Sequence, residues 1–237
     1  MNDMRNVLLV FSGLLLTSCH GLKVNYSSSE PRMQESRALT GFECIEQLGS
    51  LDVKYQQADT FSVIVEGSVE TCKEVETRVD GNRLIVNMKD ANKTIHFGVF
   101  GVNDGSDVTV YVTSPDFLGI ELKGSGDFKC VHHLDTDNLD IRLNGSGDIT
   151  FDDVICDRAK VSLLGSGDVK VKHIEALQSD VELVGSGDIS MNFTRSGAVS
   201  STLVGSGDIT LRGDVAKYQS NVRGSGDVNT SGLVIGK

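Results

Sequence analysis

The chain has 237 residues, of which 39% are hydrophobic and only 5% aromatic. This length allows one elongated domain or two small ones with a packed core. The formal net charge of -11 argues against nucleic-acid binding, which needs clustered Lys and Arg. Cations, proteins and neutral glycans stay open as ligands.

The first residues resemble the signal of a bacterial lipoprotein. An apolar stretch from Val7 to Leu16 is followed by Thr17, Ser18 and Cys19. The stretch is too short to span a bilayer as a helix and predicts a secretion signal. Its end, Leu16-Thr17-Ser18-Cys19, resembles a lipobox, which implies a signal peptide of residues 1–18 and lipidation of Cys19. An ordinary signal peptide cleaved at another bond is the alternative.

Lipidation would place the protein at a membrane through its N-terminus, since several acyl chains anchor a soluble domain stably. The residue after Cys19 is His20 rather than Asp. By resemblance to the sorting rule of diderm bacteria, this favours the outer membrane, facing the periplasm or the cell surface. Residues 19–37, which include three consecutive Ser, predict a flexible tether.

The body of the chain, residues 38–235, begins with a less regular half over residues 38–115. Its alternating apolar runs predict strands near residues 51–55, 61–66, 84–88, 95–100 and 108–112. Asp80-Gly81-Asn82 predicts a hairpin turn before the third of these strands. Residues 71–79 fit either a short helix or a strand.

The second half, residues 116–235, is organised around the tetrapeptide Gly-Ser-Gly-Asp, which occurs six times in steps of 21, 20, 20, 20 and 19 residues. A period near 20 indicates stacked repeats, each burying its apolar side against its neighbours. The paired glycines are Gly124 and Gly126, Gly145 and Gly147, Gly165 and Gly167, Gly185 and Gly187, Gly205 and Gly207, and Gly224 and Gly226.

Apolar residues recur with period two on both sides of each tetrapeptide, as in Leu143 before it and Ile149 and Phe151 after it. Such strands bury their apolar face only when they stack in parallel ladders. We therefore predict an all-β fold, a right-handed single-stranded parallel β-helix with coils of about 20 residues. Ser201, Ser220 and Thr230 replace apolar residues in the last coils and predict a tapering or capped end.

The tetrapeptide itself fits a corner between strands. Glycine allows positive φ and close stacking of corners, and Asp caps turn amides. The six aspartates then form a ladder, whose mutual repulsion is offset by backbone amides and water or, in a weaker alternative, by Ca²⁺ ions. The ladder consists of Asp127, Asp148, Asp168, Asp188, Asp208 and Asp227.

Four further cysteines, Cys44, Cys72, Cys130 and Cys156, show no zinc-ligand spacing. Cys130 occupies an inward position of the repeat, which predicts a buried thiol. A disulfide between Cys44 and Cys72 is compatible with an exported protein, and their pairing is open at this stage.

The tandem Gly-Ser-Gly-Asp units, behind the segments Ala38–Ile45 and Phe61–Gly67, resemble the bacterial family described as putative auto-transporter adhesin, head GIN domain. The similarity covers about residues 38–230. It implies a right-handed parallel β-helix on exported proteins or lipoproteins. It implies no catalytic residues, and we assign none and no cofactor.

Three functions are compatible with these features. The first is a surface-anchored adhesive module that binds extended protein or glycan ligands. The second is a structural protein of the envelope that associates with copies of itself. The third is a polysaccharide-degrading enzyme, by analogy of fold alone. The outward acidic residues do not line up between coils, and His132, His133 and His173 suit solvated or turn roles better than metal ligation.

Overall fold

The computed structural model describes residues 32–89 and 108–236. These ranges do not include the expected signal peptide, Cys19, most of the expected tether or the expected strand at 95–100. The described part is a β-solenoid, which confirms the predicted fold class. No helix in these two ranges is long and apolar enough to cross a membrane.

The repeats form long parallel strands that bend around the solenoid. Each coil pairs with the next in register, so that Ile149 lies on Val169 and Leu163 on Leu183. This register stacks like on like and buries these side chains almost completely. The strands are β8 (Gly119–Gly124), β9 (Phe128–Gly145), β10 (Asp148–Gly165), β11 (Asp168–Gly185), β12 (Asp188–Gly205), β13 (Ile209–Gly224) and β14 (Val228–Ile235).

The first half contributes shorter elements. The segment 71–79, which fits either a helix or a strand by sequence, contains the end of a six-residue helix and most of the strand that follows it. This strand pairs antiparallel with the next one, which confirms the predicted hairpin. The elements are β1 (Arg32–Arg37), β2 (Cys44–Gly49), β3 (Asp52–Gln57), β4 (Ser62–Ser68), α1 (Val69–Glu74), β5 (Val75–Asp80), β6 (Arg83–Met88) and β7 (Thr109–Ser114).

The order of these elements in space differs from their order in the chain. Strands β2 and β3 form a coil that lies between β6–β7 on one side and β8–β9 on the other. Strands β4 and β5 then pair antiparallel with β7 and β6. After β1, the chain therefore enters the middle of the stack at β2 and β3, builds one end of it with β4 to β7, and returns at β8 to continue in the other direction.

One boundary of the expected tether needs correction. Residues 32–37, which we assigned to the flexible tether 19–37, form β1 and pair antiparallel with β4 from Arg32–Ser68 to Arg37–Val63. The alternating exposure along β1 is that of an edge strand with one face on the protein. The ordered domain thus begins before residue 38.

Aromatic residues concentrate where the two halves meet. Phe117 stacks on Tyr55 with ring centroids 4.1 Å apart, and on Phe128 at 6.0 Å. Phe151 follows one coil further along. Such ring pairs contribute about 0.5–1.5 kcal/mol each beyond their buried area. They join the irregular coils to the regular ones in a single core.

Candidate functional site

The predicted aspartate ladder is present, and its geometry explains the tetrapeptide. Oδ1 of each ladder aspartate before the last, Asp227, accepts a hydrogen bond from the backbone N–H of the aspartate in the next coil, at 2.9–3.1 Å. The side chain thereby supplies an acceptor at the corner, where the strand ladder is interrupted. Backbone amides are thus the ladder's partners in the described structure.

The glycines are required by the close approach of successive corners. The N–H groups of Ser166 and Gly167 both donate to the carbonyl of Gly145 in the coil before, at 3.0 and 3.2 Å. A Cβ on Gly167 would lie 1.9 Å from the carbonyl oxygen of Gly147, and Gly165 adopts φ of 142°. Ser166 between them is exposed. Only glycine fits the two flanking positions.

A seventh corner, absent from our sequence prediction, precedes the six. Gly49 pairs with Gly124, and Oδ1 of Asp52 accepts from the N–H of Asp127 at 3.0 Å. The segment reads Gly49-Ser50-Leu51-Asp52, with a buried leucine in place of the second glycine. The spacing of 75 residues to the next aspartate conceals it from a search for a constant period.

The calcium hypothesis gains no support from the arrangement of side chains. In residues 32–89 and 108–236, no group of three or more His, Cys, Asp or Glu is placed to hold a metal ion. Ca²⁺ takes six to eight oxygen ligands, whereas each corner brings one carboxylate with one oxygen already bonded to an amide. Calcium binding by the ladder stays a prediction to be tested.

The histidines and the other outward carboxylates form separate pairs. His133 lies 2.6 Å from Asp153, Lys172 lies 2.6 Å from Asp152, and Arg195 lies 2.6 Å from Glu175. The hydrogen bond from Lys172 holds the pKa of Asp152 below its ordinary value. His132 is exposed and adopts φ of 67°, as expected of a turn residue. Nδ1 of His173 lies 3.4 Å from the backbone oxygen of Asp152.

The four cysteines in the described ranges are packing residues. Cys130 and Cys156 are buried free thiols, and burial raises the pKa of each from 9.0 to about 12. Cys44 is also a free thiol, so the bridge to Cys72 is not formed. Cys72 is buried in α1, and its thiol donates to the carbonyl of Val65 at 3.9 Å. A raised pKa disfavours the nucleophilic thiolate.

One outer face is a continuous surface across eight neighbouring strands, β6, β2 and β8 to β13. Its N-terminal end is charged: Arg83 and Lys123 both lie within 3.5 Å of Glu46 and Glu121. Its C-terminal end is polar, with a short apolar column beside the corners. That column consists of Leu164, Val184 and Val204.

A groove crosses the C-terminal part of the same face. It has a volume of about 540 Å³ and lies over β11, β12 and β13, beside the end of β14. No sequence pattern predicts this groove, because its residues come from four coils and share no motif. Its lining is Gln178, Asp180, Ala198, Val199, Ser200, Ala216, Lys217, Tyr218, Gln219 and Ile235.

The family model described as putative auto-transporter adhesin, head GIN domain, matches residues 41–173 and 159–237. The chain belongs to this family. No curated protein matches the sequence.

Solved structures share the fold at low sequence identity. A putative adhesin from Bacteroides fragilis has a TM-score of 0.69 at 22% identity, over 87% of this chain and 98% of that one. A putative lipid binding protein from Parabacteroides distasonis has a TM-score of 0.56 at 19% identity, over 87% and 98%. A putative adhesin from Parabacteroides merdae has a TM-score of 0.57 at 19% identity, over 87% and 97%.

Proposed function

We propose that this protein is a non-catalytic lipoprotein of the cell envelope whose solenoid binds extended protein or glycan ligands. The outer face described above carries the proposal. Its side chains repeat at about 4.8 Å along the stack, so a ligand with a regular backbone meets similar contacts in successive coils. Membership in a family described as adhesin heads supports a role at the envelope.

The outward carboxylates fit a binding surface better than a catalytic site. Asp152, Asp153 and Glu175 are each engaged by a basic side chain from another coil. Glycoside hydrolysis needs two carboxyl groups that face each other across a bound sugar. Here Asp152 and Asp153 are adjacent on β10 and Glu175 lies on β11, and each is already hydrogen-bonded to a side chain of a neighbouring coil.

The binding role is tested with purified full-length protein, kept soluble in a zwitterionic detergent and immobilised on beads. We expect saturable retention of a glycan from an array or of an envelope or host surface protein. Release of new reducing ends from a glycan, abolished by changing an outward carboxylate, would overturn the non-catalytic role. Retention of no ligand of either class would overturn the binding role.

The membrane anchor is tested separately. Cells grown with an alkyne-bearing palmitate analogue should label the wild-type protein and not the variant Cys19→Ala, and the labelled protein should sediment with outer membranes. Labelling of the variant, or recovery of the wild type without label, would contradict lipidation at Cys19.

A second candidate, self-assembly in the envelope, is favoured by one observation at the C-terminal end. Residues 217–224 of β13 pair with β12, but within the described ranges β14 covers β13 only as far as Val215. An uncovered edge can accept another strand. Light scattering that shows concentration-dependent association without any other ligand would favour this candidate over adhesion.

A further inference from the structure

The groove over β12 owes its shape to one small residue. In the outward column that runs across the coils, Arg158 is followed by Gln178, Ala198 and Lys217. The alanine side chain is too short to fill the space between its two long neighbours. A notch therefore opens above Ala198. The whole groove that includes this notch has a volume of about 540 Å³, within the range of small-molecule sites, about 300–1,000 Å³.

Asp180 is held in a fixed orientation at one end of the notch. Oγ of Ser200 donates to its Oδ1 at 2.6 Å, and Nε2 of Gln178 donates to its Oδ2 at 3.1 Å. Each carboxylate oxygen can accept more than one hydrogen bond. The carboxylate is exposed and is thus ready to accept hydroxyl groups of a ligand.

Two polar side chains at the other end lack protein partners. Lys217 and Gln219 line the groove, and neither side chain forms a hydrogen bond or ion pair with any residue in the described ranges. Lys217 offers three donors, and Gln219 offers both a donor and an acceptor. The groove therefore combines a fixed acceptor with unused donors.

The remaining wall is apolar and partly aromatic. Tyr218 sits above Val199 at an inward position, and its hydroxyl lies 2.8 Å from Oγ of Ser201. This bond fixes the ring, which is half-buried at the groove. Ile235, 55% exposed, borders the same space. An aromatic and aliphatic wall with a few oriented polar groups is the usual composition of a ligand site.

We propose that this groove, formed around Ala198, is a binding site for neutral saccharides; the inference rests on the proposed binding function and names its ligand class and location. A sugar ring has an apolar face of C–H groups and a rim of hydroxyls that both donate and accept. This matches the apolar wall and the polar ends of the groove. An acyl chain would cover the charged groups of Asp180 and Lys217 and offer them no hydrogen bonds, which is costly. The net charge of -11 disfavours a polyanionic glycan.

The test is calorimetric titration of the full-length protein in a detergent without a sugar headgroup. The probes are lactose, cellobiose, maltose and N,N′-diacetylchitobiose. We expect saturable binding of at least one of them, weakened about tenfold or more by Ala198→Trp, which fills the notch, and by Asp180→Ala, which removes the acceptor. The control for Ala198→Trp is Arg158→Trp, in the same column two coils away. The control for Asp180→Ala is Glu182→Ala, at an exposed position of the same strand, β11. Both control variants should bind as the wild type does.

The possible failures separate this inference from the broader proposal. If a disaccharide binds and Ala198→Trp retains full affinity, the assigned groove is wrong while a glycan-binding function stands. If the wild type retains a protein ligand on beads but binds none of the four sugars, the saccharide assignment is overturned. If neither sugars nor proteins bind, the proposed function itself fails.

Discussion

The backbone N–H of Asp168 donates a hydrogen bond of 3.1 Å to Oδ1 of Asp148, one coil earlier. The same relationship joins each aspartate of the ladder to the next, from Asp52 to Asp227. An aspartate at this position therefore acts as a substitute for a backbone carbonyl. The tetrapeptide is repeated because every coil must make the same corner.

Removing charge from the ladder should stabilise the protein at low salt. In the triple variant Asp148→Asn, Asp168→Asn and Asp188→Asn, the amide oxygen still accepts the bond, while repulsion between carboxylates about 5 Å apart, on the order of 1 kcal/mol per pair, is relieved. We expect a higher melting temperature than wild type in 20 mM NaCl. The difference should shrink near 1 M NaCl, where the Debye length is about 3 Å. A less stable variant at low salt would indicate that the charges themselves are required.

Replacing the second glycine of a Gly-Ser-Gly-Asp tetrapeptide by alanine should strongly destabilise the protein. In Gly167→Ala the new Cβ would lie 1.9 Å from the oxygen of Gly147, so the two coils must separate. We expect a loss of about 3 kcal/mol or more in the free energy of unfolding, or no folded protein. The neighbouring change Ser166→Ala, at an exposed position, should alter stability by less than about 0.5 kcal/mol in urea titrations. Equal effects of the two changes would contradict the close approach.

Removal of Ca²⁺ by a chelator should leave the fold unaffected. In every coil that is followed by another, a backbone amide already donates to one oxygen of the ladder carboxylate. We expect the same melting temperature by circular dichroism in EDTA and in millimolar CaCl₂. A marked drop in EDTA, restored by added Ca²⁺, would show that the ladder binds the ion.

Alkaline pH should destabilise the protein through its buried thiols. Burial raises the pKa of Cys130 from 9.0 to about 12, so between these values the unfolded chain loses a proton that the folded one keeps. Stability is fully present below about pH 9 and falls as pH rises to 12, by up to about 1.4 kcal/mol per pH unit for each such thiol. Urea titrations at several pH values give the free energy of unfolding as a function of pH. Above pH 9 this free energy should fall less steeply with pH in Cys130→Ala than in the wild type, and as steeply as in the wild type in Ser125→Ala. An unchanged slope in Cys130→Ala would contradict this assignment.

The regular half of the fold was predictable because apolar residues occur at the same positions relative to the Gly-Ser-Gly-Asp corner in nearly every coil. Ile149, Val169 and Ile189 follow successive aspartates in the sequence and stack in register in the structure. The buried position of Cys130 follows from the same alignment. In the last coils, Ser201 is buried and bonds to Tyr218 and Ser220, whereas Ser220 itself is exposed.

The irregular half was less predictable because its spatial order is not its chain order. Strands β2 and β3 lie between strands that come later in the chain. This arrangement depends on long-range pairing, which local periodicity does not encode. The corner at Asp52 escaped prediction because Leu51 replaces glycine. The groove escaped because it depends on a size difference between Gln178, Ala198 and Lys217, which becomes a feature only when three coils are stacked.

The architectural role of the ladder is tested most directly by comparing Asp168→Ala with Asp227→Ala in equilibrium unfolding. Asp168 accepts the N–H of Asp188 in the next coil, whereas Asp227 belongs to the last corner of the described stack. We predict that in about 1 M NaCl, where repulsion between the carboxylates is screened, Asp168→Ala lowers the free energy of unfolding by about 1 kcal/mol or more. Asp227→Ala should change it by less than about 0.5 kcal/mol. Equal losses for the two variants, or none for Asp168→Ala, would contradict the account.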